Sequence, residues 1–294
     1  MTTGEWLQEA AASLRAAGVP APARDALLLL SDALGRDKAH LLAHPERPLA
    51  EAEAAGLRGP LERRRRREPL QYIRGFQEFW GRRVKVGPGC LIPRPETEHL
   101  VEEALRLVAS QASPRVAELG TGSGCVLLAL ASERPEARLY GLERDPRALA
   151  WSRLNLTGVP GVSLLHGDMA QEPPIEGLDA VLCNPPYITD EEWSGLLPEV
   201  RCFEPEGALR CGADPLRPYR EAGLWASRAL RPGGFLLCEL GVAQARRAAA
   251  LRRLHPELRW IRGVRDLAGH LRVAIWRREP AAQEIGFTRS LMSR

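Results

Sequence analysis

Four adjacent residues, Asn184-Pro185-Pro186-Tyr187, carry the strongest chemical signal in the chain. Two prolines fix the backbone and remove two N–H donors, so carbonyl oxygens project with no competing donor beside them. Asn184 adds a side-chain carbonyl oxygen, and two acceptors held together suit a planar NH2 group whose π face the ring of Tyr187 can cover. Such a nitrogen is a poor nucleophile because its lone pair is delocalised. Fixing both of its hydrogens aims the lone pair at an electrophilic carbon, and positioning of this kind lowers a barrier by ~7 to 11 kcal/mol. No strong base is needed, since the proton leaves once positive charge develops on nitrogen. In isolation the same residues also read as a proline-rich turn closing a buried strand.

A second set of residues has the chemistry of a nucleoside site. Glu118-Leu119-Gly120-Thr121-Gly122-Ser123-Gly124 ends one apolar run and leads into a helical one. Glycines there let the backbone turn tightly and approach a ligand, and a helix start offers free N–H groups. The spacing is GxGxG, where a dinucleotide site would want GxGxxG, and alone it also fits a tight turn. Glu143 stands nineteen residues past Gly124, where a carboxylate can accept hydrogen bonds from both hydroxyls of a ribose. An ordinary surface acid at a strand end would look the same. Gly167-Asp168-Met169 then offers an acceptor for an adenine amino group beside a soft thioether. Together these segments describe an adenosine site without a phosphate-cradling lysine, which favours S-adenosylmethionine over a nucleotide. The electrophile in front of Asn184 is then a sulfonium methyl.

These residues need strand ends to hold them. Short apolar runs at 116–119, 139–142, 162–165, 180–183, 235–240 and 273–276 read as strands, and 126–131 and 147–156 as helices between them. Such alternation indicates βαβ units and a mostly parallel sheet, with ligands bound outside the carboxyl ends of its strands. Upstream, Trp6, Leu7, Ala10, Ala11 and Leu14 keep helical spacing, as do residues 26–34 before Gly35 and the pair Leu41 and Leu42 before Pro45. A fourth helical stripe from Leu49 to Leu61 is expected to kink or split at Gly59-Pro60. Phe76, Phe79 and Trp80, a turn at Gly81, then Val84 and Val86 read as a β-hairpin, and Pro95 opens the next helix.

Composition narrows the class. The 294 residues are 45% hydrophobic and 27% charged, as in a globular protein, and no apolar run approaches the ~18 residues of a membrane span. The first ten residues carry two acids and no basic flank, unlike a secretory signal, so a cytoplasmic location is expected. The six cysteines lie far apart with no zinc spacing, so neither a metal site nor a disulfide framework is expected. The histidines are scattered, and none is placed as a general base. The net charge of +4 permits an RNA-rich partner without demanding one. Lys38 and Lys85 are the only lysines among 41 basic residues, a genomic bias toward arginine. The run Arg63 to Arg67 reads as a solvated basic face or a contact to an acidic or RNA-bound partner.

Beyond the four-residue motif, Leu91-Ile92-Pro93-Arg94-Pro95-Glu96-Thr97-Glu98, the preceding Phe79-Trp80, Ile188, Phe203-Glu204-Pro205 and Arg265-Asp266-Leu267-Ala268-Gly269 resemble the protein-(glutamine-N5) methyltransferase family, PrmC/HemK type. The resemblance covers residues from about 5 to 279. It implies a Rossmann-like class I methyltransferase with a helical substrate-recognition bundle (1–70), a hairpin linker (71–94), a catalytic domain (95–279) and an unrecognised tail (280–294). The implied reaction moves a methyl group from S-adenosyl-L-methionine to the glutamine of the Gly-Gly-Gln motif of class-1 peptide chain release factors, leaving S-adenosyl-L-homocysteine. Glu118, Gly120, Thr121, Gly122, Ser123, Gly124, Glu143, Asp168, Met169 and Asn184 would hold the cofactor; Asn184, Pro185, Pro186 and Tyr187 the substrate amide, with Asn184, Pro185 and Tyr187 catalytic. Arg94 to Glu96 would lie near the methionine end. Two departures stand out: relatives often carry an aromatic at Met169, and Glu143 replaces the commoner aspartate. The resemblance further implies a cytoplasmic monomer with no membrane and no stable nucleic-acid partner. A rival reading is N-methylation of an exocyclic base amine in rRNA or DNA, which requires extracting a base from its stack. A cofactor-binding module without catalysis is the third reading, opposed by the intact Asn184 and Tyr187.

Overall fold

The computed structural model describes residues 1–280 and resolves them into two compact units. Residues 281–294, most of the expected tail, lie outside the described residues. The first unit holds α1 (Thr3–Ala16), α2 (Pro22–Leu34), α3 (Lys38–Ala43), α4 (Glu51–Arg65) and α5 (Leu70–Arg74). Thr2 and Glu5 form a capping box on α1, while α2 starts on Pro22 and stops at Gly35 in the left-handed region. Trp6, Leu14, Leu30, Leu41 and Leu57 close its core.

Two expectations about this region need correction. α4 runs unbroken through Pro60, because the carbonyl that loses its partner belongs to Gly56, which is exposed to water and has no side chain to crowd the ring. The arginine run is not one basic face either. Arg64 is 4% exposed and donates to Asp25 and Glu199, Arg67 also grips Glu199, Arg63 binds Glu68, and Arg65 and Arg66 bind Glu62. Glu199 lies in residues 196–204, a distant stretch that folds into this unit because a buried guanidinium needs carboxylates around it.

The second unit begins with a hairpin, β1 (Phe76–Phe79) and β2 (Arg82–Lys85), turning on Trp80 and Gly81, both at positive φ (52° and 66°). A tryptophan is strained there; its backbone N–H is held by Glu98 and its indole N–H by Glu133. A single 3-10 turn (Pro95–Thr97) leads into α6 (Glu98–Leu107). Then come β3 (Arg115–Leu119), α7 (Cys125–Glu133), β4 (Arg138–Glu143), α8 (Pro146–Asn155), β5 (Val162–His166) and β6 (Leu178–Cys183). β7 (Ile188–Thr189), α9 (Asp190–Trp193), α10 (Pro198–Phe203, part of the first unit), α11 (Glu206–Leu209) and β8 (Arg210–Gly212) follow. α12 (Arg217–Ala229), β9 (Leu230–Glu239), α13 (Val242–Ala245), α14 (Ala248–Leu251), β10 (Leu258–Arg265) and β11 (Leu271–Arg278) complete it.

Seven strands form the main sheet in the order β10-β11-β9-β6-β3-β4-β5. It is mostly parallel, as expected; only β11 runs against the other strands, so its pairings with β9 and with the edge strand β10 are antiparallel. Alternate residues of β6 serve opposite faces: Ala180 and Leu182 join Leu100 and Leu127 on one, Val181 and Cys183 join Tyr219 and Trp225 on the other. Chain order reverses between β3 and β6, so the crevice of the sheet opens at their carboxyl ends.

Candidate active site

The residues after β3, β4, β5 and β6 wall an open cleft of about 990 Å³, open solvent included. Gly120, Gly122, Glu143, Asp168, Met169, Asn184, Pro185 and Pro186 all face it. The glycine loop is held by backbone bonds: the N–H groups of Gly120 and Thr121 donate to the carbonyl of Leu142, and Gly124 N–H to that of Thr121. Gly120 and Gly122 have φ of 71° and 55°, and a Cβ at Gly120 would meet nothing within 4 Å, so the missing side chain leaves room against the backbone.

Glu143 staples this loop to the start of α8. One carboxylate oxygen accepts from Gly122 N–H and the other from Asp145 N–H, each at 2.9 Å. Each oxygen keeps a lone pair for a further donor. Asp168 accepts from Ala170 N–H at 3.0 Å and faces Arg144 at 3.6 Å, while half-buried Met169 packs against the apolar layer beneath.

Glu118, Thr121, Ser123 and Gly124 do not reach the cavity wall. With the glycine backbones turned to the opening, the side chains between them turn inward, leaving Thr121 2% and Ser123 3% exposed. Thr121 Oγ1 donates to Glu118 at 2.6 Å. Burial pushes the Glu118 carboxyl up to about 8; the Thr121 hydrogen bond opposes this and the charge of Glu143 adds to it. At neutral pH Glu118 therefore holds a proton and props the loop as a neutral group. Ser123 Oγ accepts from Cys125 N–H, and a Cβ on Gly124 would sit 2.8 Å from Leu156 Cδ1, so these two residues serve the packing of α7 on α8.

Asn184 belongs to two cavities. Besides the large one, it lines a small neighbour with Leu91, Arg94, Tyr187, Ala208 and Leu209. Its Nδ2 donates to Thr97 Oγ1 at 3.2 Å, and Thr97 Oγ1 donates in turn to Glu239 at 2.6 Å. Tyr187 is fixed through its carbonyl, which accepts from Gln244 Nε2, and its ring lies so close to Gly241 that a Cβ there would be 2.6 Å away. Burial pushes the Tyr187 hydroxyl up to about 12, with Glu239 adding to the shift, so it stays neutral and is no base. Arg94 lines the small cavity, whereas Glu96 points to Arg272 at 3.8 Å; neither Pro95 nor Glu96 is in either wall. Sequence reading missed the facing wall, built by Pro205, Gly207, Ala208, Arg210, Arg217 and Glu221, and the pair Thr97 and Glu239. The strand-end rule that found Glu143 would also have found Glu239, the last residue of β9.

A parallel sheet reversing beneath a glycine loop, with a carboxylate closing the next strand and an Asn-Pro-Pro-Tyr segment closing β6, defines a class I methyltransferase. Residues 5–75 match the PrmC N-terminal domain, and residues 97–221 match the methyltransferase small domain. Release factor glutamine methyltransferase of Caulobacter vibrioides is 38% identical over 270 residues, 91% of this chain and 93% of that protein. Its counterpart in Geobacter sulfurreducens is 43% identical over 218 residues, 74% of this chain and 76% of that one. The catalytic domain of hMettl16, solved in complex with MAT2A 3'UTR hairpin 6, shares the fold: TM-score 0.54 at 14% identity, covering 74% of this chain and 81% of that one. The chain belongs to the release factor glutamine methyltransferase family.

Proposed function

We propose that this chain methylates the side-chain amide nitrogen N5 of the glutamine in the Gly-Gly-Gln motif of class-1 peptide chain release factors, using S-adenosyl-L-methionine. The observation that carries the reading is the place of Asn184: one fixed carboxamide shared by a nucleoside-sized cavity and a narrow neighbouring one. The large cavity fits the cofactor. The glycine loop leaves space where side chains would stand, Glu143 has lone pairs for two ribose hydroxyls, and Asp168 with Met169 offers an acceptor beside an apolar surface for adenine.

When bound, S-adenosyl-L-methionine supplies a methyl group on a sulfonium sulfur, which departs as a neutral thioether. The chain contributes position. Asn184 Oδ1 and the Pro185 carbonyl accept the two amide hydrogens, and the Tyr187 ring covers one face of the carboxamide. The nitrogen lone pair is thereby left as the reactive edge, and the substituted nitrogen then gives one proton to water.

Base methylation in rRNA or DNA fits less well. Every arginine of the 63–67 run has a carboxylate partner, so that run is not a free phosphate grip. The enzyme acts as a cytoplasmic monomer with no stable nucleic-acid partner, the helical unit meeting the release factor. Among the described residues no helix is long and apolar enough to cross a membrane. The test is incubation with isotopically labelled cofactor and a class-1 release factor, its Gln-to-Ala variant at the tripeptide, or rRNA. One methyl on the intact factor only is expected; label on rRNA, or on the Ala variant, overturns the reading.

A further inference from the structure

Thr97 and Glu239 belong neither to the glycine loop nor to the Asn-Pro-Pro-Tyr segment, yet both are buried, at 4% and 3% exposure, and both converge on Asn184. Topology brings them there. Cys183 of β6 pairs in parallel register with Cys238 of β9, so the residues that follow, Asn184 just past β6 and Glu239 at the last position of β9, stand side by side at the carboxyl end of the sheet. Thr97 closes the turn ahead of α6, and its hydroxyl bridges the two, at 3.2 Å to Asn184 Nδ2 and 2.6 Å to Glu239.

We propose that Thr97 and Glu239 are positioning residues for methyl transfer, setting which end of the Asn184 carboxamide meets the substrate. The proposal rests on the amide-methylation reading above. A carboxamide is nearly symmetric in shape, and a half-turn about its last torsion exchanges an acceptor for a donor. The transfer needs the acceptor. A hydroxyl has one hydrogen, and an ionised carboxylate can only accept, so Thr97 must give that hydrogen to Glu239 and can only accept from Asn184. Nδ2 is thus drawn to Thr97, and Oδ1 is left for the substrate.

Protonation of Glu239 reverses the relay. Its O–H can donate to Thr97, whose own hydrogen is then free for Asn184 Oδ1, and the amide would face the substrate with donors. Charged and titratable groups surround Glu239 on every side: Arg94 and Glu96 before α6, Arg272 on β11, Tyr187 and Cys183 around the end of β6, and Tyr219 of α12, whose hydroxyl donates to the Glu239 carbonyl. Burial raises the carboxyl to about 7; the Thr97 hydrogen bond, Arg272 and Arg94 oppose that rise and Glu96 adds to it. The switch in polarity therefore falls close to neutral pH.

The experiment uses the full chain with a class-1 release factor, reading kcat, KM and the pH profile, and calorimetric Kd for S-adenosyl-L-homocysteine as a check that each variant is folded. Thr97→Val keeps the side-chain shape and removes the hydroxyl; its kcat should fall about 100-fold while the calorimetric Kd moves less than about threefold. Thr97→Ser should recover kcat to within about fivefold of the parent. Glu239→Gln should lose the acid limb of the kcat profile. The proposal is overturned if Thr97→Val keeps kcat within about threefold, if Thr97→Ser is as impaired as Thr97→Val with cofactor product still bound, or if the acid limb survives in Glu239→Gln. Absence of methylation by the parent enzyme would instead overturn the amide-methylation reading, so the two failures are distinct.

Discussion

At the glycine-loop end of the cleft the groups that face the opening are mainly backbone, held by Glu143 and by the carbonyl of Leu142. At the Asn-Pro-Pro-Tyr end they are a side chain and two rigid prolines, with the side chain oriented by a relay through Thr97 to Glu239. The loop's peptide groups are already fixed by these hydrogen bonds, so the first end is suited to binding with little further support. A carboxamide can flip, so the second end needs buried partners to keep its polarity. Binding and transfer should therefore fail separately when each end is damaged.

The largest effect is expected from Asn184→Ala. It removes one of the two acceptors proposed for the substrate amide and leaves the glycine loop untouched, so kcat should drop on the order of 1,000-fold. Affinity for S-adenosyl-L-homocysteine, read by calorimetry, should stay within about threefold. A large loss of that affinity would merge the two ends and break the comparison.

Glu143→Ala attacks the other end. Two backbone N–H groups lose a charged acceptor, and the ribose hydroxyls that Glu143 is proposed to bind lose theirs, which at ~1.5 to 3 kcal/mol per such bond predicts a Kd weaker by at least about 100-fold. At saturating cofactor, kcat should remain within about tenfold of the parent, because Asn184 and its relay are unchanged. A kcat loss that saturation does not relieve would show that the staple also sets transfer geometry.

What could be read from the residues follows the same division. Gly120, Gly122, Glu143 and Asn184 stand at ends of strands that are short, apolar and flanked by glycine or proline, so periodicity and punctuation locate them. β10, in contrast, escaped notice because Leu258–Arg265 is an edge strand in which Arg259, Arg262 and Arg265 interrupt the sequence and leave no apolar run longer than Trp260-Ile261. The relay was hidden because its bonds join residues 87 and 142 positions apart, and only strand register makes them neighbours. The Glu199 ion pairs were hidden for the same reason, which is why the arginine run read as a surface. Roles within the glycine loop were only half legible: sequence marks six of the seven residues from Glu118 to Gly124 and passes over Leu119, which lines the cavity, and which of the others turn inward depends on backbone φ at the glycines.

Glu118 tests that last distinction with the smallest effect. As a cofactor ligand it would be ionised and its loss would weaken binding; as a buried prop it is protonated, and a neutral isostere should serve as well. Glu118→Gln can still accept from Thr121, so the Kd for S-adenosyl-L-homocysteine should change less than about twofold. Stability carries the clearer signature. The folded-state carboxyl titrates near 8, above its ordinary 4.5, so the native chain keeps a proton that the unfolded chain gives up between those values. The stabilisation by this protonated group is fully present below about 4.5, declines as pH rises, and is lost once pH passes about 8. Glutamine has no proton to lose, so the melting temperature of Glu118→Gln minus that of the parent should grow as pH rises through that interval and level off above it. A difference that stays flat with pH would mean that Glu118 is ionised in the folded protein, and would return it to the set of residues able to meet a ligand directly.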